Sequence, residues 1–351
     1  MKHIETDPES GVKIYQLVDD PRPADNIYGE QPFSSADGTR VAIRFYKDGD
    51  ADGALSLVDL TDGSLHPVLE TAPRFPAFHA WGECICYQEA QGDRLVLKKT
   101  DYRTLETSEI LDLSTEEDRL SYGTLSPDGR YYAVSAHRPD KSSYVLSFDL
   151  QTGSRITSID ATERYFKHEQ FALDGSNRIL IQANSQDVTT VYLGILSPTE
   201  EGVKWLAADR PHTPRPTGHE AWIGTTDKVF FSTAIDNPED MNIWVVGVQD
   251  KAPAIAAETG QRYSHISASR CGRYWICDVG NEDGVPIYAG SLQSGNHRRI
   301  VTSGTVHDRN QWSHTHPYLT ADNAWLIYSS TRSGHPQVYG AKLPDGFLED
   351  L

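Results

Sequence analysis

The stretch GTLSPDGRYYAVSA, residues 123–136, joins a Pro-Asp-Gly turn to a run of aromatic and small apolar residues. The first half is a tight-turn signal and the second a strand signal. The same unit recurs as PFSSADGTRVAIRF (32–45), FHAWGECICYQEA (78–90), QFALDGSNRILIQA (170–183), AWIGTTDKVFFSTA (221–234), ISASRCGRYWICDV (266–279) and PYLTADNAWLIYSS (317–330), which makes seven copies. Each is followed about 10 residues on by a second hairpin half such as YVLSFDLQTGS or QVYGAKLPDG. Helical periodicity is nearly absent, so the chain reads as all-β.

A block of about 45 to 50 residues holding four strands is the repeat of a propeller blade, since the strands of a sandwich do not recur as a unit. The expectation is a seven-bladed β-propeller with four antiparallel strands per blade. The run VKIYQLVDD (12–20) precedes the first copy and is expected to pair with C-terminal strands and close the ring. Neither a Gly/Ser linker nor a charge block interrupts the repeats, so residues 1–351 read as a single β-propeller domain. The Pro-rich DRPHTPRPTG (209–218) reads as a long loop between the fourth and fifth copies.

Composition narrows the class of partner. A chain with 38% hydrophobic residues and a mean hydropathy of −0.51 is that of a soluble globular protein, and no run approaches a membrane span. The start MKHIETDPESG lacks an apolar signal core, so a cytoplasmic location is expected. A formal charge of −18 argues against a nucleic-acid partner, because phosphate contacts need a basic face. No membrane contact and no obligate protein partner are inferred. Cys84, Cys86, Cys271 and Cys277 lie in strand-like runs rather than a CxxC pair and are expected to be buried free thiols.

The repeat also aligns side chains. Six residues before each turn Asp, or the residue in its place, stand Gln31 in the first copy, Tyr122 in the third, and then His168, His219, His265 and His316 in four successive copies. Each is expected to precede the innermost strand of its blade, where propellers commonly bind ligands. The last copy adds His314 and Gln311 in QWSHTHPYLTAD (311–322). On a strand His314 and His316 share a face, with Gln311 offering an amide oxygen from the loop before them. Three imidazoles, one amide oxygen and no thiolate suit a divalent ion of the Mn, Fe, Co, Ni or Zn group with positions left for water or substrate.

The stretch QWSHTHPYLTADNAWLIYSSTRSGHPQVY (311–339), with SHISAS (264–269), GHEAWI (218–223) and KHEQFALD (167–174), resembles the oligogalacturonate lyase family of seven-bladed propellers. The resemblance covers the second half of the chain through motifs and the first half only through the repeat. It implies His265, Gln311, His314 and His316 as ligands of a divalent metal, most often Mn2+, and His219 as the catalytic base. It further implies an oligouronate substrate cleaved by β-elimination, in which the proton at C5 beside the uronate carboxylate is removed and the 4-linked sugar leaves. The family's Arg before the base, in a pattern like D-A-R-x-W, is replaced here by Thr189 or Thr190 in DVTTVYLG (187–194), and ANSQ (183–186) stands where the family has a CHEG-like segment. Lys167, Arg210 and Arg215 are the nearest cations in sequence to take that part, and His168 is the remaining candidate for the substrate cleft. Trp222 and Trp312 flank the site as sugar-stacking faces or as core. A non-catalytic TolB-like or WD-type propeller binding a sugar or a protein at the channel mouth is the alternative. A peptidase propeller is not expected, since the sequence holds no G-x-S-x-G segment.

Overall fold

The computed structural model describes residues 1–46, 53–70, 76–235, 242–257, 262–280, 282–306 and 311–351. Each repeat forms a sheet in which consecutive strands pair antiparallel. From the inside outward the first blade is Ala24–Asp25, Arg40–Phe45, Leu55–Asp59 and Leu65–Leu69. The second is Pro76–Ala77, Cys84–Gln91, Arg94–Asp101 and Thr107–Asp112. In the third, Arg119–Leu120 and Thr124–Leu125 together edge Tyr131–His137, followed by Ser143–Asp149 and Arg155–Ala161. The fourth runs Arg164–Phe171, Ile179–Ser185, Val191–Leu196 and Lys204–Trp205. The fifth runs Pro216–Trp222, Lys228–Thr233, Ile243–Gly247 and Ala254–Ile255, and the sixth Ile266–Ala268, Tyr274–Asp278, Pro286–Ser291 and His297–Thr302.

The seventh blade is shared by the two ends of the chain. Tyr318–Leu319, Trp325–Ser330 and Gln337–Lys342 come from the C-terminal repeat, and Lys13–Gln16 pairs with Gln337–Lys342. The expected closure is therefore present, and Lys2–Thr6 adds a fifth, outermost strand to it.

Strand alternation builds the ring. In Arg40–Phe45, Val41 and Ile43 pack toward the seventh blade while Ala42 between them packs toward the second. In Tyr131–His137, Tyr132 and Val134 face the second blade and Ala133 the fourth. Successive side chains on a strand point to opposite faces, so a strand buried on both sides feeds two cores at once. Seven buried clusters result, each spanning one pair of neighbouring blades, including the pair that joins the seventh to the first. Each fully buried aliphatic side chain there contributes roughly 1.5–3 kcal/mol. Among the described residues no helix is long and apolar enough to cross a membrane.

Three cysteines, Cys84, Cys86 and Cys277, are buried free thiols as expected, but Cys271 is exposed. It occupies the turn position that Asp fills in other repeats, at a hairpin tip rather than in a strand.

Candidate functional site

In the first, third, fourth and fifth blades the inner strand is interrupted at or beside the aligned position, whereas in the sixth and seventh the aligned His stands just ahead of the inner strand. In the fourth blade the register with the next strand slips between Lys167 and Gln170, and His168 takes a left-handed backbone with φ 58°. In the fifth the slip falls between Pro216 and Glu220, with Gly218 at φ 91° just before His219. In the first blade, residues 26–33 leave the sheet between Asp25, paired with Arg44, and Ser34, paired with Val41. A bulge bends a strand and re-aims its side chains, and a non-glycine residue held at positive φ marks strain that the surroundings must support.

This corrects two expectations. His168 and His219 lie within their inner strands, at the slips, rather than ahead of them. His314 and His316 are not strand neighbours, because the strand begins at Tyr318 and His316 has φ 40°. They meet through a loop whose carbonyl at His316 is held by the Asn26 side-chain amide at 2.7 Å. Gly29 packs on the same carbonyl so closely that a Cβ there would lie 2.8 Å from it.

At the hub, nitrogens of His265, His314 and His316 all lie within 4.8 Å of one another. His314 Nδ1 and His265 Nε2 are 3.2 Å apart, and the His265 and His316 rings are 4.6 Å apart between centroids. The other nitrogen of His265 is fixed by Asp278 Oδ2 at 2.8 Å, while its backbone N–H donates to Oδ1 at 2.9 Å. Thr315 donates its hydroxyl to the same carboxylate. His316 is 1% exposed, and neither of its ring nitrogens has a hydrogen-bond partner among the described residues. Burial and then the neighbouring imidazoles push its pKa well down, so the ring is neutral. For His265 burial also acts against the charged form, but Asp278 outweighs it and raises the pKa.

Orphaned neutral nitrogens beside an imidazole backed by a carboxylate are what a divalent cation needs. The donors therefore fit a first-row divalent ion, with His265, His314 and His316 as its imidazole ligands. Gln311 opens the turn Gln311–Ser313, where its carbonyl accepts from the His314 N–H at 3.1 Å and its side chain is exposed.

His219 borders this cluster, its ring 4.8 Å from that of His265. Its Nδ1 lies 2.5 Å from Glu30 Oε1, across the ring from the first blade. His168 is bracketed by the Tyr28 hydroxyl, 3.2 Å from Nε2, and by Glu220, 3.2 Å from Nδ1. Burial raises the Glu220 pKa to about 8, against the opposing pull of Lys167. Gln31 reaches across the axis to Gln170 at 3.0 Å.

The three cations nearest in sequence are placed apart. Lys167 lines a cavity that also touches His168. Arg215 donates to the carbonyl of Val188 at 3.1 Å, and Arg210 lies exposed in the loop after Lys204–Trp205. Trp222 is core, 3% exposed, with its N–H on the Gln170 carbonyl at 2.9 Å. Trp312 packs on Tyr46 at 4.7 Å. Glu30, Tyr28 and Asp278 were not reached by sequence reasoning, since none occupies the aligned position.

Fold and hub together define a seven-bladed propeller with an imidazole-rich centre. Among solved structures, the chain is similar to an oligogalacturonate lyase in complex with manganese, at TM-score 0.80 and 15% identity over 99% of this chain and 98% of that one. It is equally similar to an oligogalacturonate lyase from Vibrio parahaemolyticus, at TM-score 0.79 and 16% identity over 99% and 98% of the two chains. The β-propeller domain of the Trilobed protease from Pyrococcus furiosus follows at TM-score 0.58 and 12% identity, covering 92% of this chain and 99% of that one. No family model and no curated protein matches the sequence. At these identities the likeness is one of fold, and function rests on the site.

Proposed function

We propose that the chain is a metal-dependent polysaccharide lyase that cleaves short oligogalacturonates, or a related uronate oligosaccharide, by β-elimination. The observation that carries this reading is the meeting of His265, His314 and His316 beside a fourth imidazole, His219, that is held by a carboxylate. Those three imidazoles, with the amide of Gln311, hold the cation, Mn2+ being the ion bound by one of the similar structures. A divalent cation there supplies Lewis-acid neutralisation of the uronate carboxylate, which otherwise opposes loss of the adjacent C5 proton.

His219 takes that proton. Glu30 holds its Nδ1, which leaves Nε2 as the basic atom and stabilises the ring once it is charged. The C5–H pair forms the C4–C5 double bond while the bond from C4 to the glycosidic oxygen breaks. The leaving oxygen takes up a proton, so no water is consumed and the new end is an unsaturated sugar. Lys167, which lines a cavity shared with His168, takes the charge-neutralising part of the family's Arg ahead of Arg210 and Arg215.

The test is to incubate manganese-loaded protein with galacturonate, glucuronate and mannuronate oligomers and follow the ultraviolet absorbance of the unsaturated product, using His219→Ala as the control. Product from the wild type and its loss in the variant support the reading. Bound metal with no product from any oligomer would favour a binding propeller instead.

A further inference from the structure

A groove runs between the third and fourth blades and reaches inward as far as His168. Its inner end, about 140 Å³, touches Tyr122, His168 and Glu169, and through Arg119, His137, Tyr165 and Lys167 it continues into an outer cleft of about 700 Å³. Two buried polar groups face it without satisfied partners. His137 is 8% exposed, stacks on Tyr165 at 4.2 Å, and has no hydrogen-bond partner at either nitrogen among the described residues. Glu169 is fully buried, with one oxygen receiving the Ser121 hydroxyl at 3.3 Å and the other unpartnered.

Leaving such groups unpaired costs about 1–3 kcal/mol each, which points to a polar ligand that satisfies them. Burial and the charge of Arg119 hold the His137 pKa down to about 4, so near neutral pH the ring offers one donor and one acceptor. Burial holds the Glu169 carboxyl up to about 7, so near neutral pH about half of it keeps the proton and can donate. Two cations, Arg119 and Lys167, line the same groove, and Lys167 has no carboxylate within ion-pair distance among the described residues. On the rim, Asp118 is engaged by the Tyr144 hydroxyl at 2.9 Å and by Arg138 at 3.9 Å. Tyr122 and Phe78 stack at the inner end with an interplanar angle of 6°, presenting flat apolar faces.

We infer that this groove is a second subsite, taking the hexuronate residue next to the one at the imidazole cluster, with Arg119 on its carboxylate and His137 and Glu169 on its hydroxyls. The inference rests on the uronate reading of the hub and adds where the rest of the chain of sugars lies. It also gives a locally positive path to an anion in a protein of net charge −18.

The test is calorimetric titration of the manganese-loaded full chain with disaccharides and trisaccharides of galacturonate, glucuronate and mannuronate, alongside steady-state kinetics, for the wild type, Arg119→Gln and His137→Phe. Both variants are expected to weaken binding of the preferred trisaccharide by about tenfold and to raise KM with kcat nearly unchanged, at unaltered metal content. Turnover with unchanged affinity in both variants would overturn the subsite and leave the lyase reading standing. Binding that the variants weaken, without turnover in any protein, would uphold the subsite and sink the lyase reading. No binding of any oligomer would overturn both.

Discussion

His219 Nδ1 lies 2.5 Å from Glu30 Oε1, so an imidazole of the fifth blade is oriented by a carboxylate delivered from the opposite side of the ring. Glu30 rides on the loop that interrupts the inner strand of the first blade, and it is 2% exposed. Glu30→Gln keeps the shape but removes the charge that favours the protonated ring. The expected outcome is a fall in kcat of about tenfold or more with metal content unchanged, read by parallel kinetics and elemental analysis. An unchanged kcat would remove Glu30 from this role.

Asp278 acts on the cluster from behind. It fixes His265 through both a ring nitrogen and the backbone N–H, which leaves Nε2 toward His314. Asp278→Asn is expected to weaken manganese binding roughly 10- to 100-fold while the fold persists, as measured by metal titration and circular dichroism.

Gly29 is required by a close approach. A Cβ at that position would stand 2.8 Å from the carbonyl of His316, so Gly29→Ala must push apart the loop that carries Tyr28 and the loop that carries His316. The expected cost is about 1–3 kcal/mol in urea denaturation, together with weakened metal binding.

Stability should fall as pH rises from about 4.5 to about 7. Burial holds the Glu169 pKa at about 7 against an ordinary value of 4.5. Below the ordinary value both folded and unfolded states keep the proton. Between the two values only the folded state keeps it, so raising the pH draws the protein toward unfolding, and above about 7 the loss is complete. That one group accounts for on the order of 3 kcal/mol across this window. Glu169→Gln should flatten the slope in denaturation midpoints measured from pH 5 to 8.5, and an equal slope in the variant would assign it elsewhere.

Much of the fold is legible in the chain because its signals are local. Turns such as Pro127-Asp128-Gly129 and the two-sided apolar runs after them depend on neighbours in sequence, and their sevenfold recurrence names the ring. The aligned His168, His219, His265 and His316 were legible for the same reason. The bulges were not, since a slip of one or two residues leaves composition untouched, and strand alternation was the wrong account of why His314 and His316 meet, because a loop carries both. Glu30 stayed hidden because it acts through a contact that only the closed ring creates, with His219 across 189 positions of sequence, while Asp278 meets His265 from the next strand of the same blade and His137 meets Tyr165 from the neighbouring blade, pairings set by strand register and blade packing.

The most direct test of the central claim is manganese titration of metal-free protein, wild type against His316→Ala, by paramagnetic resonance or calorimetry. The account predicts one tight ion per wild-type chain and its loss in a variant that keeps the all-β spectrum. A wild type that takes up no divalent ion, or a variant that binds as tightly as the wild type, would contradict it.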